Sequence, residues 1–207
     1  MRSVDPTGNR PTRGRVDAAT VIARAGRWVH DGRRIDMGAL ADELEVSRMT
    51  LHRHVGSRER LVGEAVWYLA ERGWRACAEA EDARRAPGDP ELRSARVIRA
   101  FNAGVVGSTG IRTFIDSEPE LALWVLTDPA GPVEPRAVRV AVGLIESDER
   151  AGRLRPIIDR ESLAYALVKL AEAFLYADLV AGRPVAVEAA DRVQTALLEA
   201  GWVRPGG

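Results

Sequence analysis

The sequence predicts an all-α fold of about 9–10 helices, and three observations predict it. Apolar residues recur at helical spacing through most of the chain. Asp and Ser stand where N-caps are needed, and Gly or Pro closes several of the runs. No β-strand signal competes anywhere. The 207 residues, 46% hydrophobic and 29% charged, allow one sizeable domain or a small one joined to a larger one.

The first helix is expected over Val16 to His30. Ala18, Ile22, Ala25 and Val29 form its buried stripe, Val21 and Trp28 widen it, and Asp31-Gly32 stops it. The second starts behind Asp36, whose side-chain oxygen can accept from first-turn amides. Met37, Leu40, Ala41 and Leu44 give it an apolar face. Glu45-Val46 make a tight turn, and Ser47 caps a third helix reaching about His54. That helix keeps Leu51 and Val55 for the core and turns Arg48, Met49, Thr50, His52 and Arg53 outwards.

So short a helix, showing Arg, Thr and His together, has little reason to exist in a soluble core, and good reason to lie in a DNA major groove. A duplex offers phosphates on the groove rim and base edges on its floor. Arg48 is placed to reach base edges, while Thr50 and His52 are short donors suited to phosphate. Arg58 follows the cap Ser57 at the next helix start, where free amides and the helix dipole favour an anion. The candidate DNA contacts are Met37, Arg48, Met49, Thr50, His52, Arg53 and Arg58. The plainer alternative is a helical hairpin with a solvated basic face.

The run A-D-E-L-E-V-S-R-M-T-L-H-R-H-V-G-S-R-E-R-L resembles the helix-turn-helix of TetR-family transcriptional regulators, matching at Leu40-Ala41, Leu44, Val46-Ser47, Thr50-Leu51, His54-Val55, Ser57-Arg58 and Leu61. Two departures stand out. Glu45 occupies the usual turn glycine, so the turn is expected to be strained or altered. His52 replaces a phosphate-contacting tyrosine, which shortens that contact and opens it to pH. The resemblance implies a homodimer reading a palindromic operator, a helical body, and a small-molecule effector.

Charge supports the division. Residues 1–60 hold twelve Arg against eight Asp plus Glu, a net of +4, and the chain's net charge is zero, so the remainder carries −4. A basic head on a mildly acidic body suits a DNA reader. The expected organisation is a flexible basic arm over 1–14, a helix-turn-helix domain over 15–60, and a ligand-binding and dimerisation domain over 61–207. Arg10, Arg13 and Arg15 of the arm either reach phosphate or a minor groove or form a solvated tail. The single Cys77 excludes an internal disulfide and a thiolate metal cluster. No apolar run reaches the length of a membrane span, and the N-terminus lacks a secretory core, so a cytoplasmic location is expected.

In the body, Leu61, Val62, Ala65, Val66, Leu69 and Trp74 continue a long helix from Ser57 to about Glu81. The segment Ala86-Pro87-Gly88-Asp89-Pro90 breaks it, and a helix to Val106 follows, burying Leu92, Val97, Ile98, Phe101 and Val105. Gly104 to Gly110 is glycine-rich but lacks the strand and lysine of a phosphate loop; it is expected to be a flexible break of the kind that adjoins ligand pockets. A short helix or turn is expected over 111–116, and further helices over 119–126, 136–152, 159–180 and 185–200. The 159–180 helix is apolar almost all round, which requires burial on every side. That helix and 136–152 are the candidates for a four-helix dimer interface.

Phe101, Phe114, Trp124, Tyr165, Phe174 and Tyr176, with Lys169 and Glu172, are the candidate effector contacts. Aromatic residues at this spacing are more often plain core, and it is the resemblance that favours an effector pocket. Polar groups such as Lys169, Glu172 and Asp178 are expensive to bury unpaired, so they pair, line an interface or orient a ligand. The patterns E-L-A-L-W-V-L-T-D-P, G-R-L-R-P and E-A-F-L-Y-A-D resemble a subgroup named for a regulator of quorum-signal degradation, which implies lactone-like or fatty-acyl ligands. Enzymatic chemistry is not expected: His30, His52 and His54 all lie in the head and no nucleophile–base spacing occurs. No cofactor or metal is expected either. The alternatives are an all-α ligand carrier and a helical adaptor for protein partners.

Overall fold

The computed structural model describes residues 16–86, 88–176 and 185–201. The 1–14 arm, Arg15, Pro87, Asp178, the Gly182-Arg183-Pro184 stop and the side chain of Tyr176 lie outside the described residues. Ten α-helices and no strand occur among the described residues. They are α1 (Ala18–His30), α2 (Met37–Glu43), α3 (Arg48–Val55), α4 (Arg58–Arg84), α5 (Arg93–Gly107), α6 (Thr109–Ser117), α7 (Pro119–Thr127), α8 (Glu134–Arg150), α9 (Arg160–Ala171) and α10 (Val187–Glu199). A π-helical turn, Glu172–Tyr176, continues α9.

The head is fixed by caps at each helix start. Asp17, Asp36, Ser47 and Ser57 accept from the backbone N–H of Thr20, Ala39, Thr50 and Arg60. Each satisfies an amide with no partner inside its own helix. Glu43 then ties α2 to α1, accepting from the Trp28 indole at 3.0 Å and pairing with Arg24 at 2.6 Å.

The hydrophobic interior forms two clusters. One gathers Val21, Leu40, Leu51 and Leu61 of the head with Phe114, Ile115, Ala122 and Val125 of α6 and α7. The head therefore shares its core with the body, and the expected 60/61 boundary falls inside the first turn of α4. The second cluster joins Val97, Ile98, Ile145, Leu163, Leu167 and Leu198, from α5, α8, α9 and α10.

Helix α5 has no side-chain cap of its own. Asp148 of α8, fully buried, substitutes for one by accepting from Arg93 N at 3.2 Å and Ser94 N at 2.8 Å. The carboxylate also meets the positive end of the α5 dipole there.

The break expected between helices in the glycine-rich stretch falls at Ser108. Gly104 and Gly107 end α5, Ser108 caps α6 through Ile111 N, and Gly110 lies in the first turn of α6. A Cβ on Gly110 would sit 2.3 Å from the carbonyl oxygens of Val29 and His30. Glycine here permits α6 to abut the end of α1. Over the described part of the 159–180 helix, Leu163, Ala164 and Leu167 are buried while Tyr165 is half exposed, which leaves one side of it for the expected dimer interface.

Candidate functional site

Two places bring functional side chains together: the outer face of α3 and a cavity in the body. On α3, Leu51 and Val55 are buried, while Arg48, Met49, His52, Arg53 and His54 are exposed. Met49 is 76% exposed, unusual for a methionine with no external partner. Thr50 is half-buried because its hydroxyl pairs with that of the cap Ser47 at 2.9 Å. The Arg48 guanidinium folds back over α2, where a Cβ on Gly38 would lie 1.9 Å from its Nη2. Gly38 thus opens the groove in which that side chain rests.

The turn before α3 is a Schellman motif. Val46 N donates to Ala41 O at 3.0 Å and Glu45 N to Asp42 O at 3.1 Å, with Glu45 at φ 54. That left-handed conformation is what the family's glycine serves. The turn keeps its geometry and Glu45 bears the strain. At the end of α3, Gly56 takes φ 75 with ψ −139, a region that is essentially glycine's alone.

Two expected DNA contacts are corrected. Met37 is half-buried and packs against the head core, because the first turn of α2 directs it inward. Arg58 donates from Nε to Ile35 O at 2.6 Å and from Nη2 to both Glu118 oxygens, at 2.6 and 2.9 Å. Arg34 adds a bond to the same carboxylate at 3.0 Å. Arg58 joins the head to the α6–α7 corner. Burial would raise the Glu118 carboxyl, but the bonds and charges of Arg58 and Arg34 outweigh it and hold the group below its ordinary value.

In the body, a cavity of about 390 Å³ lies between α4, α5 and α6. Its walls are mostly apolar (Val66, Leu69, Phe101, Val105, Ile111, Leu126), with His30, Arg72, Cys77 and Ser108 supplying polarity. Burial pushes the Cys77 thiol up, so it stays protonated at neutral pH. Two larger clefts, about 620 and 570 Å³, are lined by charged side chains including Glu64, Arg136 and Arg139.

Of the candidate effector contacts, Phe101 lines the apolar cavity, stacked on Trp74 with centroids 3.7 Å apart. Phe114 does not: it is buried in the head core. Trp124 and Tyr165, 49% and 50% exposed, face outward instead of into the cavity. Phe174 is half-buried in the π-helical turn. Lys169 pairs with Glu172 at 2.8 Å, as its spacing allows, and also with Glu134 of α8. Burial lowers the Lys169 ammonium pKa, but the bonds from Glu134 and Glu172 outweigh it and raise the value overall.

The residues missed by sequence reasoning include the polar lining, His30, Arg72, Cys77 and Ser108, and the small residues Ala70, Gly73 and Gly104. The glycine run was the one signal that pointed there.

The family model for the tetracyclin repressor-like C-terminal domain matches residues 91–199. Among solved structures, the R. erythropolis transcriptional repressor QsdR of the TetR family is similar with TM-score 0.78 and 25% identity, over 92% of this chain and 97% of that one. The ketosteroid transcriptional regulator KstR2 of Mycobacterium tuberculosis also matches, with TM-score 0.40 and 12% identity, over 90% and 95% of the two chains. No protein of curated function matches the sequence significantly. No helix among the described residues is long and apolar enough to cross a membrane. With a family model matched over more than half of its length, the chain belongs to the TetR family of transcriptional regulators.

Proposed function

We propose that this protein is a cytoplasmic, sequence-specific transcriptional repressor that binds a palindromic operator as a homodimer and is released by a small apolar or amphipathic ligand. The observation that carries the DNA half is the exposed α3 face, where Met49, His52 and Arg53 stand clear of a core anchored by Leu51 and Val55 and the exposed Arg48 rests over Gly38 of α2. A recognition helix presents base-reading side chains in this way. The similarity to a solved repressor at 25% identity supports the direction of regulation.

A dimer doubles the bases read and sets half-sites about one helical turn apart. The dimer face we favour is α9 with α10, in place of α9 with α8. Tyr165 of α9 and Val193 of α10 are exposed apolar side chains on these two helices, and they need cover.

Ligand in the 390 Å³ cavity would bear on the head through two contacts. His30, the last residue of α1, is in the cavity wall, and α6 abuts the end of α1 at Gly110. A ligand shifts the head only if its affinity differs between the two arrangements. Lactone-like or fatty-acyl effectors are one proposal for the occupant.

The test is anisotropy of DNA flanking the protein's own gene, across a salt series, with a scrambled duplex beside it. Tight binding to one palindromic segment, falling steeply with salt, is expected. Arg48→Ala should relax base preference by about 1–3 kcal/mol. Arg53→Ala should weaken all sequences alike. Operator binding by both variants equal to the parent's would refute the placement of α3 and leave a protein-interaction adaptor.

A further inference from the structure

A second, smaller chamber of about 50 Å³ adjoins the main cavity. Phe101, stacked on Trp74, and Leu126 belong to the walls of both. The chamber's lining includes the polar side chains of Asn102, Gln194 and Glu172.

Glu172 is the unusual member. Its side chain is 10% exposed, and Oε2 accepts from Lys169 at 2.8 Å. Oε1 is buried and has no hydrogen-bond partner among the described residues. Lys169 does not balance the charge, because it is shared with the buried Glu134: two carboxylates meet one ammonium. Burial pushes the Glu172 carboxyl up. The side-chain amides nearby are committed elsewhere: Asn102 donates to Gln194 and Asp191, and Gln194 donates to the Leu167 carbonyl. An orphaned buried carboxylate oxygen costs more than a neutral acceptor would, and a native fold keeps one where something else completes it. The helix itself changes at this residue, passing from α to a π-helical turn, an irregularity that concentrates at functional sites.

We propose that this chamber is the head-group subsite of the effector cavity, taking the hydrogen-bond-donating end, ammonium or hydroxyl, of a molecule whose apolar body fills the larger space. The inference rests on the reading of that space as the effector site. Glu172 Oε1 accepts from the donor, and the excess negative charge excludes a terminal carboxylate. Phe101 swings aside to join the two volumes.

The experiment titrates the full-length protein with 1-octylamine, 1-octanol and octanoate by calorimetry. The parent should bind the amine and the alcohol at least about tenfold more tightly than octanoate, the size of one charge-assisted hydrogen bond. Glu172→Gln keeps an acceptor oxygen but drops the charge, so the alcohol should be held while the preference for amine over octanoate falls about tenfold. Gly104→Leu, whose side chain has open space at the cavity wall, should block all three. Octanoate bound as well as the amine, or an unchanged preference in Glu172→Gln, overturns the subsite while Gly104→Leu still reports on the cavity. Binding that survives Gly104→Leu overturns the cavity itself, and so does failure of the parent to bind any of the three.

Discussion

Glu45→Gly should stabilise the protein. Glu45 sits at φ 54, a conformation that costs an L residue about 1–2 kcal/mol through the clash of Cβ with the following carbonyl. Its side chain is exposed, and its charge lies just past the C-terminus of α2, the negative end of that helix. Glycine removes the clash but costs about 0.5–1 kcal/mol in unfolded-chain entropy. The net gain is about 0.5–1 kcal/mol, or about 1–4 °C in melting temperature for a chain this long. Glu45→Ala is the control, since it removes the charge and keeps the strained backbone. Thermal unfolding of parent, Ala and Gly variants separates the two effects. Both variants should bind DNA slightly more tightly, having lost one negative charge at the turn before the recognition helix, and only Gly should gain the backbone increment. If Gly melts no higher than Ala, backbone strain at this turn is not what distinguishes the chain from a glycine-bearing relative.

Asp148→Ala leaves Arg93 N and Ser94 N without their acceptor and should cost about 2–3 kcal/mol in urea unfolding, with Asp148→Asn costing less because one acceptor oxygen survives. The Glu118 contact predicts a pH dependence. Its folded carboxyl lies below the ordinary value, so its contribution is complete above the unfolded value of about 4.3 and is lost as pH falls through the folded one. The stability advantage of the parent over Glu118→Gln should therefore be constant from neutral pH to about 5 and vanish in stronger acid. A difference that persists there would show that the carboxylate's charge is not what matters. Arg58→Met should lower stability yet leave the salt dependence of DNA binding unchanged, because its guanidinium is spent on Ile35 O and Glu118; a flatter salt slope would return Arg58 to the phosphates.

Local rules carried the head because the head is built from local rules. A cap is a contact between residues three apart, so Asp36, Ser47 and Ser57 could be assigned from their neighbours alone, and each makes its expected bond. The strain at Glu45 was legible only through the resemblance, which places a glycine at that turn. Arg58 shows where that logic ends. An anion was expected at its helix start, and an anion is there, but it is Glu118, 60 residues away. Nothing in the spacing of either residue announces the other. Asp148 capping a helix that begins 55 residues earlier is the same case.

The cavity escaped for a different reason. A search for aromatic lining looks for bulk, and bulk fills space: Phe114 packs into the head core, while Trp124 and Tyr165 turn outward. A cavity between close-packed helices needs small residues at its wall, as Ala70 and Gly104 are here, while Gly73 makes room for the Phe101 ring, 3.3 Å from where its Cβ would lie. Within a helical pattern such residues cost helix propensity and give no apolar signal, so periodicity passes over them. Gly104 bears the argument: it lies inside α5 with nothing within 4 Å of where its Cβ would be. A helix interior penalises glycine, and neither a turn nor a close neighbour requires it there. Gly104 also lines the cavity, and Gly104→Leu would put bulk at that wall.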